Sequence, residues 1–116
     1  MGFALAMIAG KWKPGILTLL GERKLRFGEL ERKLPHVSRK VLVEQLRAME
    51  KDGLVQCRIY PEVPPRVEYA LTALGFRVLP LLWALGDFGR SVMAERREAA
   101  AAVAANEPHP PLADVG

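Results

Sequence analysis

Between Arg39 and Lys51 the apolar residues Leu42, Leu46 and Met49 recur at i, i+4, i+7, which predicts a helix with one buried stripe. Arg39, Lys40, Val43, Glu44, Arg47 and Lys51 occupy the opposite surface, so a core side and an outer side separate cleanly. Ser38 stands where an N-cap is needed, and Asp52-Gly53 supplies the stop. The period then changes. Leu54–Tyr60 is β-rich, and Val67 and Tyr69 alternate with Arg66, Glu68 and Ala70, so two strands are expected over 54–60 and 66–71. Pro61, Pro64 and Pro65 lie between them; they cannot donate ladder hydrogen bonds and stiffen a protruding tip. Thr72 can cap the helix that follows. A helix and then a hairpin is the order that a winged DNA-reading module requires.

Upstream, Phe3–Ala9 is apolar almost all round, and such a short helix must pack on its own core or reach into another subunit. Gly10 breaks it. Pro14 suits the first turn of a second helix carrying Ile16, Leu17, Leu19 and Leu20, which Gly21 is expected to close. Lys24–Phe27 reads as a short third strand. Gly28–Leu34 reads as a helix with Leu30 and Leu34 on one face, ended by Pro35. Beyond Thr72 a long apolar stretch is expected to break at Pro80 into a short helix and a longer one. Nearly every face from Val78 to Phe88 is apolar, more than one small core needs, which predicts a dimer. An Ala-rich run follows Arg97, and the three prolines after Asn106 predict a flexible tail over 106–116.

At 116 residues the chain makes one domain, expected over 1–105, with no internal repeat. Formal charge is +4, unevenly spread. Lys11 to Arg66 holds thirteen Lys/Arg against seven Asp/Glu, a net of +6, and the remainder holds four against six, a net of −2. A polyanion would meet the first part. The single Cys57 excludes an internal disulfide and suits a reducing compartment; with no signal peptide or membrane-length apolar run read, a cytoplasmic protein is expected. Cys57 reads as a small apolar strand residue. Trp12 and Trp83 read as core or interface aromatics. His36 and His109 are too far apart in sequence to suggest a metal site, and no phosphate loop, nucleophile elbow or acid/base pair is visible, so neither a cofactor nor catalysis is expected.

Several segments together resemble the HxlR family of bacterial winged-helix transcriptional regulators, relatives in fold of the MarR group. They are IAGKW at Ile8–Trp12, RFGEL at Arg26–Leu30, VSRKVLVEQLRAMEKDGLV at Val37–Val55, YPEVPPRVEYALTALG at Tyr60–Gly75 and LPLLWAL at Leu79–Leu85. The resemblance implies a mainly α fold with a small antiparallel wing, and a homodimer on a palindromic operator. It also implies dimerisation through the N-terminal and C-terminal helices (3–10 and 76–104), with Phe3, Leu5, Ile8, Leu81, Leu82, Leu85 and Phe88 at the interface. Many members begin with a Cys-Pro pair before the first helix, in some a sensor of oxidants or electrophiles. This chain starts Met1-Gly2-Phe3, so either that segment lies outside this sequence or the sensor is lacking. Val43 stands where a small hydroxyl residue is common, and could touch a thymine methyl.

On this scaffold helix 39–52 would enter the major groove and the 60–67 wing the adjacent minor groove of double-stranded DNA. Ser38 would donate to a phosphate, Arg39 and Lys40 would meet base edges or phosphates, and Val43 and Arg47 would follow on the same helix. Arg66 is the candidate for the minor groove, and Arg26 and Lys13 for flanking phosphates. Glu44 and Glu62 fit least well unless an Arg neutralises them. The competing reading is a winged-helix protein-interaction module without sequence-specific DNA binding. A small effector, of unknown identity, could sit where Trp12, Trp83 and Phe88 gather.

Overall fold

The computed structural model describes residues 1–106. Helix α4 (Arg39–Lys51) forms as its pattern requires: Leu42, Leu46 and Met49 are fully buried, and the Ser38 hydroxyl accepts a hydrogen bond from the Val41 N–H at 3.1 Å. Its end is a Schellman turn. Gly53 adopts φ +80°, a left-handed conformation that favours glycine, with Gly53 N–H donating to Glu50 C=O and Leu54 N–H to Met49 C=O. Met49 and Leu54 are both buried there, the apolar contact that accompanies such a turn.

The other elements are α1 (Gly2–Ile8), α2 (Lys13–Glu22), β1 (Leu25–Arg26), α3 (Phe27–Lys33), β2 (Val55–Tyr60), β3 (Arg66–Leu71) and α5 (Ala73–Asn106). The three strands make one antiparallel sheet in the order β1-β3-β2, so the hairpin's second strand is central. Val55 pairs with Leu71 at its base and Tyr60 with Arg66 at its tip, while Leu25 and Arg26 pair with Tyr69 and Glu68. The third strand expected ahead of α3 therefore belongs to the sheet, at its edge, and spans only Leu25–Arg26.

The chain divides into two compact units, Met1–Leu82 and the part from Trp83 onward. In the first, Ile16, Leu17 and Leu20 of α2 meet Leu30, the α4 stripe, Leu54, Val55, Leu71 and the start of α5 in one core. Thr72 caps α5: its hydroxyl accepts from the Gly75 N–H at 3.1 Å and donates to the Gly53 carbonyl, while its own N–H donates to Leu54 C=O at 3.0 Å. Gly75 is buried against this corner, and a Cβ there would fall inside contact distance of the Leu54 carbonyl oxygen. In the second unit the helix continues to Asn106 with Trp83, Leu85, Phe88, Met93 and Val103 exposed. No single helix among the described residues is long and apolar enough to cross a membrane.

Three expectations need correction. Pro80 does not divide the last helix, which runs unbroken from Ala73 to Asn106. Its ring is exposed, and burial of Val78, Leu79 and Leu82 on either side holds the helix through the lost N–H. Gly21 does not close α2, which continues to Glu22. Its missing side chain makes room for Leu79, whose Cδ1 would lie 2.7 Å from a Cβ at that position. Leu82, expected at a dimer interface, is buried in the chain's own core. The tail expected over 106–116 lies outside the described residues, apart from Asn106, the last residue of α5.

Gly75→Ala is expected to destabilise by ~2 kcal/mol, because a backbone carbonyl cannot move aside as a side chain can. Thermal unfolding would read this as a midpoint roughly 8 °C lower. Thr72→Ala, which loses the cap and the hydroxyl's bond to the Gly53 carbonyl, should cost about 1–2 kcal/mol. Glu29 offers a pH test. It accepts the Arg26 backbone N–H at 2.8 Å and a bond from Arg23 at 3.2 Å, and these hold its carboxyl below the ordinary 4.5. A lowered folded pKa adds stability above 4.5 that is lost as pH falls from there through the folded value. Glu29→Gln should therefore flatten that part of the acid limb in a stability-versus-pH series.

Candidate nucleic-acid interface

Arg39, Val43 and Arg47 stand at i, i+4, i+8 and form one line down α4, away from the buried stripe. They face the wing across a cleft of about 640 Å³ whose other walls are Arg26, Phe27, Gly28 and Glu31 on one side and Glu62 to Val67 with Tyr69 on the other. Phe27 and Tyr69 give the cleft an aromatic floor, their ring centres 6.4 Å apart and tilted by 51°. Burial first, then the cross-strand Cys57 sulfur toward which the hydroxyl donates, pushes the Tyr69 hydroxyl up to about 12.

The cations around the cleft differ in freedom. The Arg39 guanidinium lies 5.1 Å from the Phe27 ring centre and 3.7 Å from Glu31, so α3 aims the side chain. With 75% of that side chain exposed, it can still meet a ligand. Arg47 is exposed on the same wall. Arg26 sits at the β1–α3 junction, where its backbone caps α3 and its side chain is exposed toward the cleft. Arg23, Lys24 and Arg32 extend this basic edge around Glu29 and Glu68.

Arg66 is different. Only 28% of its side chain is exposed. Its guanidinium is 3.9 Å from the Tyr60 ring centre, directly across the hairpin, and it pairs with Glu62 at 3.1 Å and Glu68 at 3.7 Å. Glu62 thus has the Arg partner its position demanded. Glu68, in the central strand, also pairs with Lys24 at 3.6 Å and stands opposite both Arg26 and Arg58.

Of the residues singled out from the sequence, the fold brings Arg26, Arg39, Val43, Arg47 and Arg66 to one cleft. Ser38 serves as the α4 cap, and Lys40 is exposed on α4 outside the cleft lining. Lys13 is not brought to this cleft; its ammonium donates to the Ala6 carbonyl at 3.4 Å. No local sequence pattern marks Phe27, Glu31, Glu68 or Tyr69 as part of the site. Cross-strand register and the α3–α4 approach create their roles, and neither has a one-residue signature. Trp12 is half-buried at the edge of the core, with the Lys11 ammonium 5.1 Å from its ring centre, whereas Trp83 and Phe88 are exposed.

An exposed arginine line on a rigid helix, a hairpin across the cleft from it and a basic edge at β1–α3 can take a phosphate backbone and base edges together. Comparison with known proteins agrees. The HxlR-like helix-turn-helix family matches residues 7–97. An HTH-type transcriptional regulator of Methanothermobacter thermautotrophicus is 46% identical over 87 residues, covering 75% of this chain and 66% of that one. Another from Halalkalibacterium halodurans is 45% identical over 89 residues, covering 76% and 79%. Among solved structures, the redox regulator HypR in its reduced form superposes with a TM-score of 0.78 at 35% identity, covering 84% of this chain and 96% of that one. The HTH-type transcriptional regulator ytcD gives 0.76 at 38%, covering 80% and 95%. The chain is a winged-helix member of the HxlR-like helix-turn-helix family of transcriptional regulators.

Proposed function

We propose that this regulator works as a homodimer on palindromic duplex DNA, with α4 in the major groove and the 60–67 wing over the adjacent minor groove of each half-site. The observation that carries the reading is the Arg39–Val43–Arg47 line, left free because the Leu42–Leu46–Met49 stripe takes the whole core contact. Arg39 reads bases or anchors a phosphate from a side chain already oriented by Phe27 and Glu31. Arg47 and Lys40 supply further contacts, and Val43 offers an apolar contact to a thymine methyl. Arg26 clamps the flanking backbone.

The dimer reading rests on apolar surface. Phe3 and Leu5 on α1, then Phe76, Leu81, Leu85 and Phe88 along α5, are exposed in the single chain. A monomer seldom leaves so many large apolar groups in water, and a second copy would cover them.

A mobility shift with the chain's own upstream region should give a discrete complex at physiological salt. Arg39→Ala should weaken it roughly 5- to 150-fold per half-site, and Arg47→Ala should lower the slope of log affinity against log salt by about 0.9 per contact. Equal affinity for any duplex would remove the sequence-specific reading. The dimer predicts half-sites ~34–36 Å apart. Light scattering should give a mass near twice the 12.8 kDa of one chain, and Leu85→Glu with Phe88→Glu should shift it toward the monomer.

A further inference from the structure

We infer that Arg66 is a positioning residue: it holds the wing in place and leaves the wing to meet DNA through an uncharged, apolar tip. The inference rests on the DNA-reading function proposed above and replaces the minor-groove contact that the sequence suggests for Arg66.

Three groups occupy the guanidinium at once. The Tyr60 ring lies 3.9 Å from it across the hairpin, Glu62 takes Nη2 at 3.1 Å, and Glu68 faces Nε at 3.7 Å. Nε is buried without a hydrogen-bond partner, so Glu68 acts on it as a neighbouring charge. Glu62 and Arg66 lie at either end of the tip, and their pairing closes the loop that contains Val63, Pro64 and Pro65. The second anchor, Glu68, is fixed in the central strand and is itself steadied by Lys24.

Charge decides between holding the wing and touching DNA. From Tyr60 to Arg66 the only charged residues are Glu62 and Arg66, so the paired tip is neutral. Moving Arg66 to a phosphate would abandon the Tyr60 ring and leave the Glu62 carboxylate unpaired beside a polyanion. Kept in place, Arg66 cancels that carboxylate and presents Pro61, Val63, Pro64 and Pro65, all exposed, as a preformed apolar edge. The phosphate contacts then fall to Arg26, Arg39, Lys40 and Arg47. Planarity makes arginine suited to this work, since it stacks on a ring while its edge meets carboxylates; lysine cannot do both.

Arg66→Ala and Arg66→Lys test this in the full chain. In the free protein, hydrogen exchange at the Glu62 amide, which donates to the Tyr60 carbonyl at 2.8 Å, should quicken at least tenfold in both variants, with the α4 amides unchanged. Equal exchange in wild type and variants would overturn the positioning role whether or not the protein reads DNA. On the upstream duplex, both variants should lose hydroxyl-radical protection beside each half-site while keeping it under α4. Simple destabilisation would lower all protection together and would overturn the inference. The salt slope should stay at the wild-type value, because no phosphate contact is lost. A slope reduced by about 1.8 in Arg66→Ala, or about 0.9 for each of two Arg66 side chains, would make Arg66 a phosphate contact. Wild-type footprint and affinity in Arg66→Lys would also overturn the inference.

Discussion

One corner of the structure ties α4, the hairpin and α5 together. At Gly53 the chain leaves α4 through a left-handed turn, and within a few residues Leu54 bonds back to Met49 and accepts from Thr72. Thr72 also binds the Gly53 carbonyl and caps α5, and Gly75 has no side chain to hold that helix off Leu54. The end of α4, the base of both hairpin strands and the start of α5 are thereby joined at one point. Since α4 and the hairpin form opposite walls of the cleft, this corner fixes the angle at which they face each other. Altering it would move the reading helix relative to the wing without touching either.

Around the cleft, the division of the cations matters more than their number. A net basic charge brings the protein to a polyanion, but each arginine held by carboxylates is partly withdrawn from that task. Arg39 is aimed by one carboxylate and one ring yet stays mostly open. Arg66 is enclosed by two carboxylates and a ring. The same residue type, on neighbouring elements, is thus left open at one position and enclosed at the other. Glu62 and Glu68, carboxylates on a basic surface, are both paired with Arg66.

Most of the local elements could be read from the chain. The α4 stripe, the Ser38 and Thr72 caps, the Gly53 stop and both hairpin strands follow from short-range rules, and each appears where those rules put it. Pro80 and Gly21 depart from the local rules for one reason. Local rules treat proline and glycine as breaks, whereas Leu79, packed between them, turns the first into a tolerated helix residue and the second into a space for a neighbour. The site was legible in part. Arg39, Val43 and Arg47 share a helix face by periodicity alone, but Arg66 looked free because its partners are two and four residues away and across a strand.

The sequence by itself determined which segments become helix or strand, which face of α4 is apolar, where positive charge gathers, and the family to which the chain belongs. Those properties depend on periodicity, caps and residue chemistry over a few positions, which the order of amino acids contains directly. Only the tertiary structure decided that β1 joins β3, that Leu82 belongs to the core, that Phe27 and Glu31 aim Arg39, and that Arg66 is occupied. Those depend on strand register and on the distance between elements far apart in the chain. A shift of a single residue in the hairpin would put Arg66 opposite a residue other than Tyr60 and free it from the ring.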